Sequence, residues 1–73
     1  MRKIVIHNHV RKLRFNQGEM TQQQLAEQVG VTRQTIVAIE KEQYTPSLEL
    51  AFRIALVFNL PLEEVFYLEV PAP

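Results

Sequence analysis

The chain of 73 residues contains no cysteine, no aspartate and no tryptophan, and only two glycines. Without cysteine it can form neither a disulfide framework nor a thiolate metal site. No apolar run approaches the roughly 18 residues of a membrane span, and the segment 4–6 is too short for the core of a signal peptide. We therefore expect one cytoplasmic domain over 1–73, without a membrane partner, stabilised by helix packing or by a second chain.

The net charge is zero, but the charges are divided unevenly along the chain. Residues 1–41 carry seven Lys and Arg against three Glu, a balance of +4. Residues 42–73 carry only Arg53 against five Glu, a balance of −4. The first half can therefore present a basic face to a polyanion, although an ordinary solvated surface explains the same charges.

Helix caps and helix breakers divide the chain into five predicted helices. The predicted helices cover about residues 9–17, 22–28, 33–41, 48–58 and 61–66, and Asn8, Thr21, Thr32 and Ser47 are their predicted caps. Gly18, Gly30 and Asn59 tolerate the left-handed backbone in which many helices end. A wide apolar stripe, predicted to face inward, lies on the fourth helix and consists of Leu48, Ala51, Ala55 and Phe58, with Phe52 and Ile54 alongside. The pattern predicts an all-α domain.

Both ends of the chain are rich in β-branched and aromatic residues. The segments 3–6 and 65–70 could be short strands, or the second could merely finish the last helix. We predict that the two segments pair as antiparallel strands, within one chain or between two, because an unpaired β-branched edge invites aggregation. Residues 71–73 are predicted to be a frayed tail.

The stretch 22–41 predicts two short helices joined by a tight turn. Ala26 offers a small side chain where two steeply crossed helices approach each other, and Gly30 tolerates a positive φ in the turn. Ile36 and Ile39 have the spacing that anchors the second helix on a core. The stretch is therefore a candidate helix-turn-helix, whose second helix can enter the major groove of DNA.

Residues 21–36, which read TQQQLAEQVGVTRQTI, resemble the helix-turn-helix of the Cro and phage-repressor type, the XRE family of bacterial and phage transcriptional regulators. Further resemblance to that family lies in Ala38-Ile39-Glu40 and in the segments 46–48, 51–55 and 62–66. The resemblance covers about residues 8–67 and is greatest to small stand-alone members. It implies a five-helix lambda-repressor-like fold that binds DNA, with no cofactor and no small-molecule effector.

The resemblance also assigns roles to side chains of the second helix of the pair. It implies base contacts at Arg33, Gln34 and Ala38, and Arg and Gln can indeed bond guanine and adenine edges. Thr35 and Val37 are further candidates for base contact, Val37 through a thymine methyl. Ordinary exposed residues at a helix start are the alternative.

Phosphate contacts are predicted for a second group of residues, which lie around that helix. These residues are Gln22, Thr32, Lys41, Tyr44, Arg11 and Lys12. Gln22 begins a helix, where anions are favoured, and Lys41 and Tyr44 follow the recognition helix, where the family's chain runs along the DNA backbone. Capping by Thr32, packing by Tyr44 and a solvated face at Arg11 and Lys12 are the alternatives.

Two other pairs are better explained by structure than by chemistry. The resemblance implies an ion pair between Arg14 and Glu40, since the family often joins its first and third helices in this way. His7 and His9 have a spacing that can bind a metal, but the chain has no Asp or Cys to complete a site, so we expect two surface histidines and no metal. Ser47 is the only serine and is explained by capping, and no nucleophile–base set is present, so we expect no enzyme.

These patterns predict a sequence-specific transcriptional regulator, a repressor that binds palindromic double-stranded DNA as a homodimer. The predicted dimer interface is the fifth helix with Phe66, Tyr67 and Leu68. The alternative is a protein-binding module, such as an antitoxin or adaptor, that presents Val37 and the segment 66–68 to a partner. The operator sequence and the regulated genes stay open.

Overall fold

The computed structural model describes residues 4–69, which form five helices and a two-stranded sheet. The elements are β1 (Val5–Asn8), α1 (Val10–Asn16), α2 (Gln22–Val29), α3 (Arg33–Glu40), α4 (Leu48–Phe58), α5 (Leu62–Val65) and β2 (Phe66–Glu69). Each helix end lies within one residue of its predicted position, which confirms the predicted order of helices. Across residues 4–69, no helix has both the length and the hydropathy that a membrane crossing requires. The predicted tail at 71–73 lies outside the described residues.

Local side-chain caps begin the three central helices. The hydroxyl of Thr21 accepts the Gln24 N–H at 3.0 Å, while the Gln24 side chain accepts the Thr21 N–H at 2.8 Å, which completes a capping box. Thr32 and Ser47 cap α3 and α4 in the same way, accepting N–H groups at 3.3 and 3.2 Å. The three predicted caps are confirmed.

The cap of α1 differs from the prediction by one residue. His9 is the N-cap residue and makes no capping bond through its side chain. The Asn8 side chain instead accepts the Val10 N–H at 3.1 Å and donates to the Ile39 carbonyl at 2.9 Å. Asn8 therefore joins the start of α1 to the end of α3, which is why a polar residue stands at the end of β1.

The two terminal segments pair as antiparallel strands within the chain. Val5 lies opposite Glu69, and Asn8 lies opposite Phe66. The alternative that 65–68 only finishes the last helix is wrong, because Phe66 has extended backbone angles of φ −121° and ψ 137°. The predicted pairing is thus confirmed in its intramolecular form, and Lys3 and Val70, the predicted outer ends, lie outside the described residues.

All five helices contribute apolar side chains to one core. The core residues are Val10, Leu25, Ala26, Val29, Ile36, Ile39, Leu50, Ile54, Ala55, Phe58 and Val65. The predicted inward orientation is wrong for two residues of the apolar stripe on α4, because Leu48 is 67% exposed and Phe52 is 49% exposed. Leu50 is buried instead, because α4 packs with the face that includes Leu50 and Ile54 turned inward.

The predicted pair between Arg14 and Glu40 is present and largely buried. Arg14 Nε and Nη2 donate to the two carboxylate oxygens of Glu40 at 2.6 and 3.0 Å. Arg14 Nη1 donates to the Met20 carbonyl at 2.8 Å, and the Gln22 amide donates to Glu40 at 3.2 Å. The side chains of the pair are only 14% and 6% exposed, so the ends of α1 and α3 and the start of α2 meet at one desolvated network.

His7 on β1 lies between two carboxylates. Its Nδ1 is 2.9 Å from Glu42, and its Nε2 is 2.6 Å from Glu69 on the paired strand. The hydrogen bonds to Glu42 and then to Glu69 raise the pKa of His7, because only the imidazolium can donate from both nitrogens. Tyr67 stacks on His9 with ring centroids 4.7 Å apart. The prediction of two surface histidines is confirmed for His9, which is exposed, whereas His7 is half-buried between the two carboxylates.

We expect Arg14→Ala to lower the free energy of unfolding by about 3–5 kcal/mol, because it leaves the Glu40 carboxylate buried without a neutralising cation. Glu49→Ala is the matched control, since it breaks an ion pair between side chains that are 55% and 74% exposed. That change should cost less than about 0.5 kcal/mol. Urea unfolding measures both values, and equal losses would contradict a special role for the buried pair.

We expect His7→Gln to destabilise the fold more at about pH 5 than at about pH 8.5, on either side of the ordinary histidine pKa of about 6.5. Because folding raises the pKa of His7, its stabilisation is fully present below the unfolded-state value and is lost as pH rises through the folded-state value. Thermal unfolding of both proteins across this range measures the difference. Glu42→Gln should remove part of the same pH dependence, and an effect of His7→Gln that does not vary with pH would contradict the assignment.

Candidate nucleic-acid interface

The turn between α2 and α3 consists of three residues, 30–32, and depends on one backbone conformation. Gly30 has φ 78° and ψ 33°, the left-handed region that favours glycine. The N–H groups of Gly30 and Val31 both donate to the Ala26 carbonyl, at 2.9 and 3.0 Å. A Cβ on Gly30 would meet only the Arg53 guanidinium at 3.7 Å, so the backbone angle rather than space requires glycine.

Helix α3 has an inner face that anchors it and an outer face that is open. Ile36 and Ile39 are buried in the core, as their spacing predicted. Arg33 and Gln34 are exposed at the first turn, and Lys41 is exposed just beyond the last turn. Their side chains are therefore available to a ligand that approaches α3 from the outside.

The remaining base-contact candidates on α3 are less open. Val37 and Ala38 are half-buried. Thr35 is also half-buried, and its hydroxyl lies 3.0 Å from the hydroxyl of Thr32 within the helix cap. Arg33 and Gln34 are therefore more accessible to a ligand than Thr35, Val37 and Ala38 are.

An open groove of about 580 Å³ runs between α1 and α3. Arg11, Arg33 and Lys41 line it, and the buried pair of Arg14 and Glu40 also contributes to its wall. Arg14 neutralises Glu40, so the lining leaves three cations against one remaining carboxylate, that of Glu19. The local charge is positive although the net charge of the chain is zero.

The N-terminus of α2 opens into the same groove. Thr21, Gln22 and Gln23 line it, and a helix start favours an anion through its free N–H groups and its dipole. The Gln22 side chain is engaged with Glu40, so a phosphate contact by Gln22 uses its backbone N–H or requires the amide to leave that carboxylate.

Only some of the residues predicted to contact DNA line the groove. Arg11, Gln22, Arg33, Val37 and Lys41 line it. Gln34, Ala38 and the remaining predicted residues, namely Thr32, Thr35, Lys12 and Tyr44, do not line it. Lys12 lines a neighbouring depression that shares Arg11 with the groove, and Tyr44 is 49% exposed beyond α3.

Phe15 is a groove residue that the sequence did not reveal. It is 66% exposed and lines both depressions. Its signal is the spacing of four residues from Arg11, which puts the two side chains on one face of a helix.

The predicted dimer residues have unequal environments. Phe66 is half-buried against the core, and Tyr67 is 41% exposed and stacked on His9. Leu68 is 60% exposed. Of the three, Leu68 alone is mostly available to a partner.

Comparison with known proteins agrees with this geometry. A family model described as Helix-turn-helix matches residues 10–65. An uncharacterized HTH-type transcriptional regulator of Bacillus subtilis, YgzD, is 52% identical over 62 residues, which are 85% of this chain and 92% of that protein. An uncharacterized HTH-type transcriptional regulator of Archaeoglobus fulgidus is 49% identical over 61 residues, covering 84% and 86% of the two chains.

A solved structure supports the fold alone. It is a Bacteroides fragilis protein named for DNA binding, and it superposes with a TM-score of 0.73 at 22% identity over 85% of this chain and 98% of its own. The relatives that share about half of this sequence are named as regulators and not as enzymes. From the matched residues, the five-helix order and the Gly30 turn, the chain belongs to the Cro and phage-repressor (XRE) type of helix-turn-helix proteins, with a lambda-repressor-like fold.

Proposed function

We propose that this chain is a sequence-specific DNA-binding transcriptional regulator that inserts α3 into the major groove of an operator. The observation that carries the proposal is the arrangement of α3, with Ile36 and Ile39 buried and Arg33 and Gln34 exposed beside a cationic groove. The names of the relatives support the same function. Repression is the simplest outcome, because a protein that occupies an operator excludes other proteins without further contacts. A DNA partner implies a cytoplasmic location.

The two kinds of DNA contact are divided between the outer face of α3 and its surroundings. Arg33 reads guanine and Gln34 reads adenine. The smaller side chains of Thr35, Val37 and Ala38 contact neighbouring bases. Arg11, Lys41 and the start of α2 at Gln22 hold phosphates across the groove. Thr32, Lys12 and Tyr44 add phosphate contacts at the edges of the site.

We further propose that the functional unit is a homodimer on a palindromic operator. One module of this size buries limited surface on DNA, and a second copy on the adjacent half-site adds both area and specificity. The two-fold symmetry of a protein dimer then matches the symmetry of the operator.

A protein-binding module is the second candidate, and the mostly exposed Leu68 is the observation that favours it. The partner surface predicted from the sequence consists of Val37, which is half-buried, and the segment 66–68. The two candidates differ physically, because contacts to phosphates release counterions and contacts to an apolar protein surface do not.

We expect the binding of this protein to mixed-sequence DNA to weaken steeply with salt. If Arg11, Lys12 and Lys41 each meet a phosphate, the slope of log K against log salt should be about −3 per protomer. Fluorescence anisotropy with labelled duplexes at several salt concentrations measures it. Undetectable binding at low salt, or a slope near zero, would favour the protein-binding module.

We expect Arg33→Ala to weaken binding to a selected operator by about 1–3 kcal/mol and to relax the preference at one base position. Lys41→Ala should weaken binding to all sequences alike and reduce the salt slope by about one. In vitro selection followed by titration of both variants on an operator panel provides the measurement. Each variant is the control for the other, and identical behaviour across the panel would contradict the division of roles.

A further inference from the structure

The outer face of α4 carries three large apolar side chains that the other described residues leave open. Leu48, Phe52 and Leu56 are 67%, 49% and 77% exposed. They follow one another every four residues, so they form a stripe about 12 Å long on one side of the helix. We call these three residues the α4 stripe.

The α4 stripe is not part of the hydrophobic core of the described residues. The core side of α4 is already complete, with Leu50, Ile54 and Phe58 buried. A helix whose outer face meets only water normally carries polar residues there. A contiguous apolar face on a small domain marks a surface that contacts another molecule.

Among the residues of α4, charged side chains flank the α4 stripe on one side only. Glu49 and Arg53 form an exposed pair on that side, with Arg53 Nη2 2.6 Å from Glu49 Oε2. On the other side the neighbours are Ala51 and Ala55, which are buried and small. The stripe therefore has a single charged edge, with an anion nearer the start of the helix and a cation nearer its middle.

We propose that the α4 stripe is a homodimer interface in which α4 packs antiparallel on α4 of a second copy, about a two-fold axis at Phe52. In this arrangement Leu48 lies opposite Leu56 of the second copy, and Phe52 lies opposite its own equivalent. An interface of this kind is self-complementary, as two-fold symmetry requires.

The charged edge selects the antiparallel arrangement. Two-fold symmetry at Phe52 brings the charged edges of both copies to the same side, and Glu49 then lies about 3 Å along the helix axis from Arg53 of the second copy. Arg53 lies equally close to its own equivalent, so two contacts between opposite charges oppose one contact between like charges. A parallel two-fold pair would instead place the two charged edges on opposite sides of the interface, where neither Glu49 nor Arg53 would meet an opposite charge of the second copy. The second copy thus meets both the shape and the charge of this surface.

The α4 stripe would be the contact surface of the homodimer proposed above. This inference rests on the proposed homodimer and not on the proposed DNA contacts. None of the residues that line the groove belongs to α4, so the two surfaces can be occupied together. The stripe is also larger than the terminal candidate, where Leu68 alone is mostly exposed. Three side chains per copy make an interface smaller than stable dimers use, so association is weak in solution and is completed on DNA.

Charge reversal on the full chain without DNA tests the interface by sedimentation equilibrium. E49R gives each copy only cations on the charged edge, and R53E gives each copy only carboxylates. Each variant alone should associate about tenfold more weakly than the original protein, while an equimolar mixture should regain association because opposite edges meet. A mixture that associates no better than its components would overturn the proposal.

A cysteine crosslink supplies the second, independent readout. Since the chain has no cysteine of its own, F52C introduces a single thiol at the proposed two-fold axis, and L68C introduces one at the exposed end of β2 as the matched control. Under mild oxidation F52C should form a disulfide-linked dimer much faster than L68C. Faster linkage of L68C would place the interface at the terminal strands and overturn the proposal.

The controls keep the interface separate from DNA binding. All four substitutions are at exposed positions, and circular dichroism confirms that each variant is folded. Salt-dependent anisotropy on DNA is measured separately for the original protein. Loss of DNA binding with the association pattern intact would defeat the proposed function alone, whereas normal DNA binding with no recovery in the mixture would defeat this interface alone.

Discussion

The buried contact between Arg14 and Glu40 is the interaction on which the candidate interface depends. The guanidinium also donates to the Met20 carbonyl, and Gln22 donates to the carboxylate, so four segments of the chain converge on one desolvated pair. A bidentate pair of this kind has a narrow geometry, because both bonds must be made at once. The angle between the first helix and the recognition helix, and with it the width of the groove, follows from that geometry.

The same pair explains how a chain of zero net charge presents a cationic surface. Glu40 would otherwise be a negative charge in the wall of the groove, which Arg11, Gln22 and Lys41 also line. Arg14 neutralises it, and most of the remaining acids lie in the second half of the chain. A regulator of this size therefore needs no overall basicity, because a phosphate responds mainly to charges within about one Debye length, roughly 8 Å.

Several features were predictable from the residues because they arise from neighbours in the chain. The Thr21 capping box, the Gly30 turn and the Asn59 helix end each involve groups no more than five residues apart, and all three lie where the sequence predicts. Pairing of the terminal strands was predictable from their β-branched character. The predictions that were wrong concern the direction in which a side chain points. Phe52 and Leu48 are apolar at plausible core spacings, yet α4 turns them outward.

The sequence by itself determined where each helix begins and ends, where the chain reverses between α2 and α3, and which residues open the recognition helix. Those features depend on hydrogen bonds and backbone angles within single turns. Only the tertiary structure decided which face of α4 is buried, that His7 meets Glu42 and Glu69, and that three separate cations line one groove. These contacts join residues as far as 62 positions apart, and they exist only after packing has selected one rotation of each helix against the core.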